Sequence, residues 1–142
     1  MNESEARELI VEMARSMFER RLTFGSSGNI SVKIDGGWLM TPTGSSLGRL
    51  DPARLSKLDE AGALISGDAP TKESFLHLAM YRERAGAGAV VHLHSTHSVA
   101  VSCLDGINHD DVLPPITAYY VMRVGRLPLI PYYAPGDKTL GE

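Results

Sequence analysis

Two histidines one residue apart, His92 and His94, close an apolar run in the stretch AGAVVHLHSTHSVAVSCL, Ala87 to Leu104. On an extended strand, side chains two apart share a face, so both imidazoles project together while Leu93 packs behind them. Such a pair can grip a metal. Zinc takes histidine nitrogen at about 2.0–2.1 Å, and a catalytic site adds a third protein ligand and keeps one position open. The same residues can also be structural histidines bonded to backbone at a strand end.

The partner such a pair needs is a carboxylate, and Glu73 is the candidate. It falls in the first turn of a helix that follows APTK, where the helix terminus favours an ionised acid and offers backbone N–H groups to an anion. Glu73 suits a metal ligand, a general base or a dipole-stabilising surface acid. His77 lies one turn further on the same face, and its expected role is helix packing, bonded to Glu73 or to backbone. Two glycine-rich loops, GSSGN (Gly25 to Asn29) and TPTGSS (Thr41 to Ser46), supply small residues, hydroxyls and exposed N–H groups. Such nests bind phosphate, and Thr71 and Lys72 at the helix start add hydroxyl and charge. With His97 included, HLHSTH approaches the H-x-H-x-D-H pattern of metallo-β-lactamase-like hydrolases, but Thr96 replaces the required aspartate. A cupin would also use H-x-H, yet helical segments at both ends oppose an all-β barrel.

These residues need elements to hold them. From Glu3 to Arg20, apolar Ala6, Leu9, Ile10, Met13, Met17 and Phe18 recur at helical spacing, and Asn2 with Glu5 forms a capping box. NISVKI and GWLMTP, joined at Asp35-Gly36-Gly37, predict a hairpin between two exposed loops. Asp51 to Pro70 reads as a short turn or helix and a turn-rich crossing. A second helix is predicted over Lys72–Arg84, a strand over Ala89–His94 and a third helix over Ser95–Leu104. Strands and helices interleave, which makes the class α/β or α+β.

The chain has 142 residues and a net charge of −3, enough for a single domain with one core. No basic surplus points to nucleic acid, and no segment is long and apolar enough to span a membrane or act as a signal peptide. A cytoplasmic home is the expectation. The lone Cys103 cannot form an internal disulfide and is expected as a small buried hydrophobe.

The order GSSGNISV, TPTGSSLG, TKESFLHLAMYR, AVVHLHSTHSVAVSCL and PLIPYYAPGD resembles the class II aldolase/adducin family, over nearly the whole chain. TPTGSSLGRLDPARLSKLD, VVHLHSTHSVAVSCL and VMRVGRLPLIPYYAPGDK are most similar to its decarboxylase branch, which acts on 3-oxo-tetronate 4-phosphate. The resemblance implies an α/β, three-layer class II aldolase-like fold with a central, mainly antiparallel sheet flanked by helices. It implies a zinc-dependent carbon–carbon lyase, other divalent metals being possible, that decarboxylates a phosphorylated keto sugar acid to dihydroxyacetone phosphate and CO2 through a metal-stabilised enediolate. Retro-aldol cleavage, pentulose-phosphate epimerisation and a non-catalytic adducin-like interaction module are the alternatives.

By the same resemblance, Glu73, His92 and His94 match metal ligands, and Glu73 also acts as base or acid. Gly28, Asn29, Thr43, Gly44, Thr71 and Lys72 match the phosphate cradle. Tyr119, or Tyr120 beside it, matches a tyrosine lent to a neighbouring subunit in a homotetramer. The family's third zinc histidine lies further downstream than Glu142, and His109 in GINHDD does not align with it. The 142 residues are therefore expected to be a single domain that lacks its C-terminal part.

Overall fold

The computed structural model describes residues 2–134 and 136–142; Met1, and Pro135 of the PLIPYYAPGD motif, lie outside them. The chain forms two compact units, residues 1–95 with 135–142, and residues 96–134.

The first unit opens with helix α1, Glu3–Glu19. Asn2 accepts the Glu5 N–H at 2.9 Å and the Glu5 carboxylate accepts the Asn2 N–H at 3.1 Å, so the capping box forms as predicted. Strands β1 (Asn29–Ile34) and β2 (Gly37–Met40) make the expected hairpin, with Ile34 opposite Gly37 across the turn. Strands β3 (Ser56–Asp59) and β4 (Leu64–Ser66) extend it where only turns and crossings were expected. They are short and carry polar residues, so pairing with β2, rather than local preference, makes them strands. Strand β5 (Ala89–His92) adds to the other side of β1, giving an antiparallel sheet in the order β4-β3-β2-β1-β5.

The alternation along β1 sorts the layers. Ile30, Val32 and Ile34 join Leu39, Leu47 and Leu55 in one apolar core with Ala6, Ile10 and Ala14 of α1. On the opposite face, Asn29 and Ser31 meet helix α2, Ser74–Glu83. The result is the three-layer α/β arrangement, helix on antiparallel sheet on helix. A short 3₁₀ turn, Lys138–Gly141, lies beside Phe75 and Ala79 of α2.

The second unit contains helices α3 (Thr96–Ser102) and α4 (Ala118–Arg123), neither with a buried residue. Its loops are tied by the Val112 N–H to Leu127 O at 2.9 Å, the Leu129 N–H to His109 O at 2.8 Å, and the Tyr120 hydroxyl to Asp111 at 3.1 Å. Cys103, expected to be buried, is exposed, because the short helix that precedes it encloses no core. Among the described residues no helix is long and apolar enough to cross a membrane.

Candidate metal centre and anion cleft

The register of β1 against β5 sets Asn29 directly opposite His92. Asn29 is the first residue of β1, so the ladder ends there and β5 stops at His92 rather than running to His94. The predicted strand pairing of the two imidazoles is thereby replaced by ring stacking, with centroids 4.7 Å apart and planes inclined by 23°. Gly28, at φ +80°, lets the incoming loop pass close to this strand end. A Cβ there would sit 3.0 Å from the His92 carbonyl oxygen and 3.2 Å from Thr23 Oγ1.

Glu73 stands at the N-cap of α2, one position before the helix rather than inside its first turn. Its side chain makes no capping bond. Thr71 Oγ1 accepts the Glu73 N–H at 3.3 Å, and the carboxylate is turned to the sheet, where Oε2 accepts from Asn29 Nδ2 at 2.5 Å. The same oxygen lies 2.9 Å from His92 Nδ1. That ring nitrogen is buried and makes no aligned hydrogen bond. A carboxylate oxygen and an imidazole nitrogen at this separation suit an ion pair as well as a shared cation. Glu73, His92 and His94 offer ligand atoms that lie within 4.8 Å of one another, the one group of this kind among the described residues. Two imidazoles and one carboxylate are a donor set that zinc and other divalent first-row ions accept, so the residues present fit a metal.

Burial holds His92 below the usual histidine range, the Glu73 carboxylate opposing it and His94 adding to it. A neutral imidazole is the form that ligates. The ring of His77, fully buried on α2, meets neither the Glu73 side chain nor backbone as expected, although the His77 backbone N–H donates to Glu73 O at 3.3 Å. Its Nδ1 lies 2.7 Å from Ser31 Oγ and its Nε2 2.5 Å from Asn29 Oδ1. Burial, helped by His92 and opposed by Glu73, pushes it down to about 4. Ser31 Oγ is also 2.9 Å from the Tyr81 hydroxyl, whose pKa burial raises.

A cleft of about 480 Å³ opens beside this cluster. All six residues of the predicted cradle line it, Gly28, Asn29, Thr43, Gly44, Thr71 and Lys72, and so do Glu73 and His94. The second glycine-rich loop is pinned by its backbone: the Thr43 N–H donates to Ala69 O at 2.9 Å and the Thr71 N–H to Thr41 O at 3.1 Å. Thr43 therefore offers a ligand its hydroxyl rather than the exposed N–H expected of the loop. Tyr119 belongs to the second unit, where it is 78% exposed on α4. Sequence reasoning missed Ser31 and Tyr81. The signal was present, because Asn29 and Ser31 share a strand face while Glu73, His77 and Tyr81 recur every four residues along one helix face.

Residues 8–142 match the class II aldolase and adducin N-terminal domain. The chain is 50% identical over 143 residues to the 3-oxo-tetronate 4-phosphate decarboxylase of Haemophilus influenzae, covering 100% of this chain and 68% of that protein. It is 35% identical to the L-fuculose phosphate aldolase of Methanocaldococcus jannaschii, over 93% of this chain and 70% of the relative. The crystal structure of YgbL from Escherichia coli superposes with a TM-score of 0.93 at 50% identity, covering 98% of this chain and 68% of that one. The chain spans about two thirds of the length of the curated decarboxylases it matches. By this match and by its fold, the chain belongs to the class II aldolase and adducin N-terminal domain family.

Proposed function

We propose that this chain carries the metal and phosphate site of a cytoplasmic, zinc-dependent lyase that decarboxylates 3-oxo-tetronate 4-phosphate. The observation that carries the reading is the cleft in which Glu73 and His94, two members of the candidate ligand triad with His92, line one wall beside the six-residue anion cradle. The decarboxylases at 50–51% identity favour this substrate over the aldolases at 33–35%. A homotetramer, with Tyr119 lent between subunits, belongs to the same proposal and follows from the family resemblance alone.

The chemistry divides among the residues. The cradle holds the phosphate: Lys72 supplies charge, the Thr43 and Thr71 hydroxyls donate to oxygens, and Gly28 and Gly44 let backbone come close. Asn29 bridges cradle and cluster by donating to Glu73. The C1–C2 bond of the substrate breaks, CO2 leaves, and the electron pair on C2 delocalises into the C3 carbonyl to give an enediolate. A divalent cation on Glu73, His92 and His94 would supply the Lewis acidity that lowers the cost of that charge. C2 then takes a proton that originates in solvent water, which Glu73, at the wall of the cleft, is placed to relay, and dihydroxyacetone phosphate results. The test is CO2 release from 3-oxo-tetronate 4-phosphate by the zinc-loaded protein. CO2 and dihydroxyacetone phosphate in equal amounts, both lost on chelation, are expected. Interconversion of pentulose phosphates without CO2 would replace this reading by epimerisation.

A further inference from the structure

His77 is a buried imidazole that neither the metal cluster nor the phosphate cradle uses, and its hydrogen bonds have only one consistent direction. A carboxylate only accepts, so the Asn29 amide nitrogen must face Glu73 Oε2 and the amide oxygen must face His77 Nε2. An amide oxygen also only accepts, which puts a proton on Nε2. In the neutral ring Nδ1 is then bare and accepts from Ser31 Oγ, and Ser31 in turn accepts from the Tyr81 hydroxyl. Donation runs from Tyr81 through Ser31, His77 and Asn29 and ends on the carboxylate. Asn29 and Ser31 sit on β1, His77 and Tyr81 on α2, and Glu73 at the N-cap of that helix.

We infer that His77 is a positioning residue: held as its Nε2–H tautomer, it locks the Asn29 side chain so that the amide N–H, and not the amide oxygen, meets Glu73. The alternative rotamer of an unlocked Asn29 would turn a carbonyl dipole onto the carboxylate and repel it from its ligating position. The lock is a property of the neutral ring, since a doubly protonated ring could not accept from Ser31. Partners that orient a ligand in this way are worth about 10–100-fold in metal affinity. The consequence for metal rests on the reading of Glu73 as a ligand; the tautomer and the amide orientation do not.

The test therefore has two arms. In the metal-free chain, two-bond proton–nitrogen NMR correlations should show His77 protonated at Nε2 and bare at Nδ1, with the Asn29 side-chain amide protons protected from exchange. A ring protonated at Nδ1 overturns the inference, whether or not the chain binds metal. In the second arm, zinc affinity is read by chelator competition on folded His77→Leu and His77→Gln. Leucine fills the space without a donor and should weaken zinc by about 10–100-fold. Glutamine can donate to Asn29 and accept from Ser31, and should stay within a few-fold of the parent. Equal loss in both variants, or none in either, would assign His77 to packing alone. A parent chain that takes up no zinc would refute the proposed metal site and leave the NMR arm to decide on His77.

Discussion

Strand β1 has two faces that differ in kind. Ile30, Val32 and Ile34 pack against α1 in a core that is almost wholly apolar. Asn29 and Ser31, interleaved with them, face α2 and join a chain of polar side chains that ends at Glu73. The apolar face gains from area removed from water, a non-directional term that tolerates small shifts. The polar face gains only where every donor meets an acceptor, so it fixes side-chain orientation at the site. One strand thus carries stability on one side and site geometry on the other, and substitutions should separate the two.

The largest effect is expected on the polar face. His92→Ala should weaken zinc by more than about 100-fold, beyond the 10–100-fold of an outer partner, while the urea midpoint of the metal-free chain stays near that of the parent. Calorimetric zinc titration beside urea unfolding checks both halves; unchanged zinc affinity would remove His92 from the ligand set. Ile10→Ala, on the apolar face, should do the reverse. It should cost about 2–5 kcal/mol by cavity formation and leave the zinc affinity of the folded fraction alone. A drop in zinc affinity matching that of His92→Ala would mean that the two faces are not separable.

The strand at the centre of this comparison was legible before the structure was known, because its information is local. Alternating apolar residues in NISVKI, the Asp35-Gly36 turn and the capping box of Asn2 and Glu5 each act within a few residues. The H-x-H pair, Glu73 and the two glycine-rich loops were legible by their chemistry: the first unit groups His92 and His94 with Glu73, and Glu73, His94 and the loops line one cleft. The rest depends on long-range pairing. Strand β5 ends at His92 because β1 offers no partner beyond Asn29, which the sequence of β5 cannot express. Strands β3 and β4 exist because β2 is beside them. The partners of His77 are residues 46 and 48 positions away, so its helix alone pointed to Glu73 instead.

A smaller effect comes from pH. In the folded chain His77 titrates at about 4, against an ordinary value of 6.5. Between those values the unfolded chain binds the extra proton, so stability is full above pH 6.5 and falls as pH drops toward 4, by up to about 3 kcal/mol. Urea unfolding of the metal-free chain across that range should show the slope, and His77→Gln should reduce it. A parent profile that is flat there would mean that His77 is not held neutral by the fold. The smallest effect is at the edge of the apolar face: Asn2→Ala removes the cap of α1 and should cost about 1 kcal/mol, seen as a lowered Tm with zinc affinity unchanged.

The most direct measurement is zinc content per chain, by elemental analysis of the purified, desalted protein beside His92→Ala. The arrangement of Glu73, His92 and His94 predicts about one zinc per parent chain and a substoichiometric trace in the variant. A folded parent chain with no more zinc than His92→Ala would contradict the metal centre on which the proposed chemistry depends.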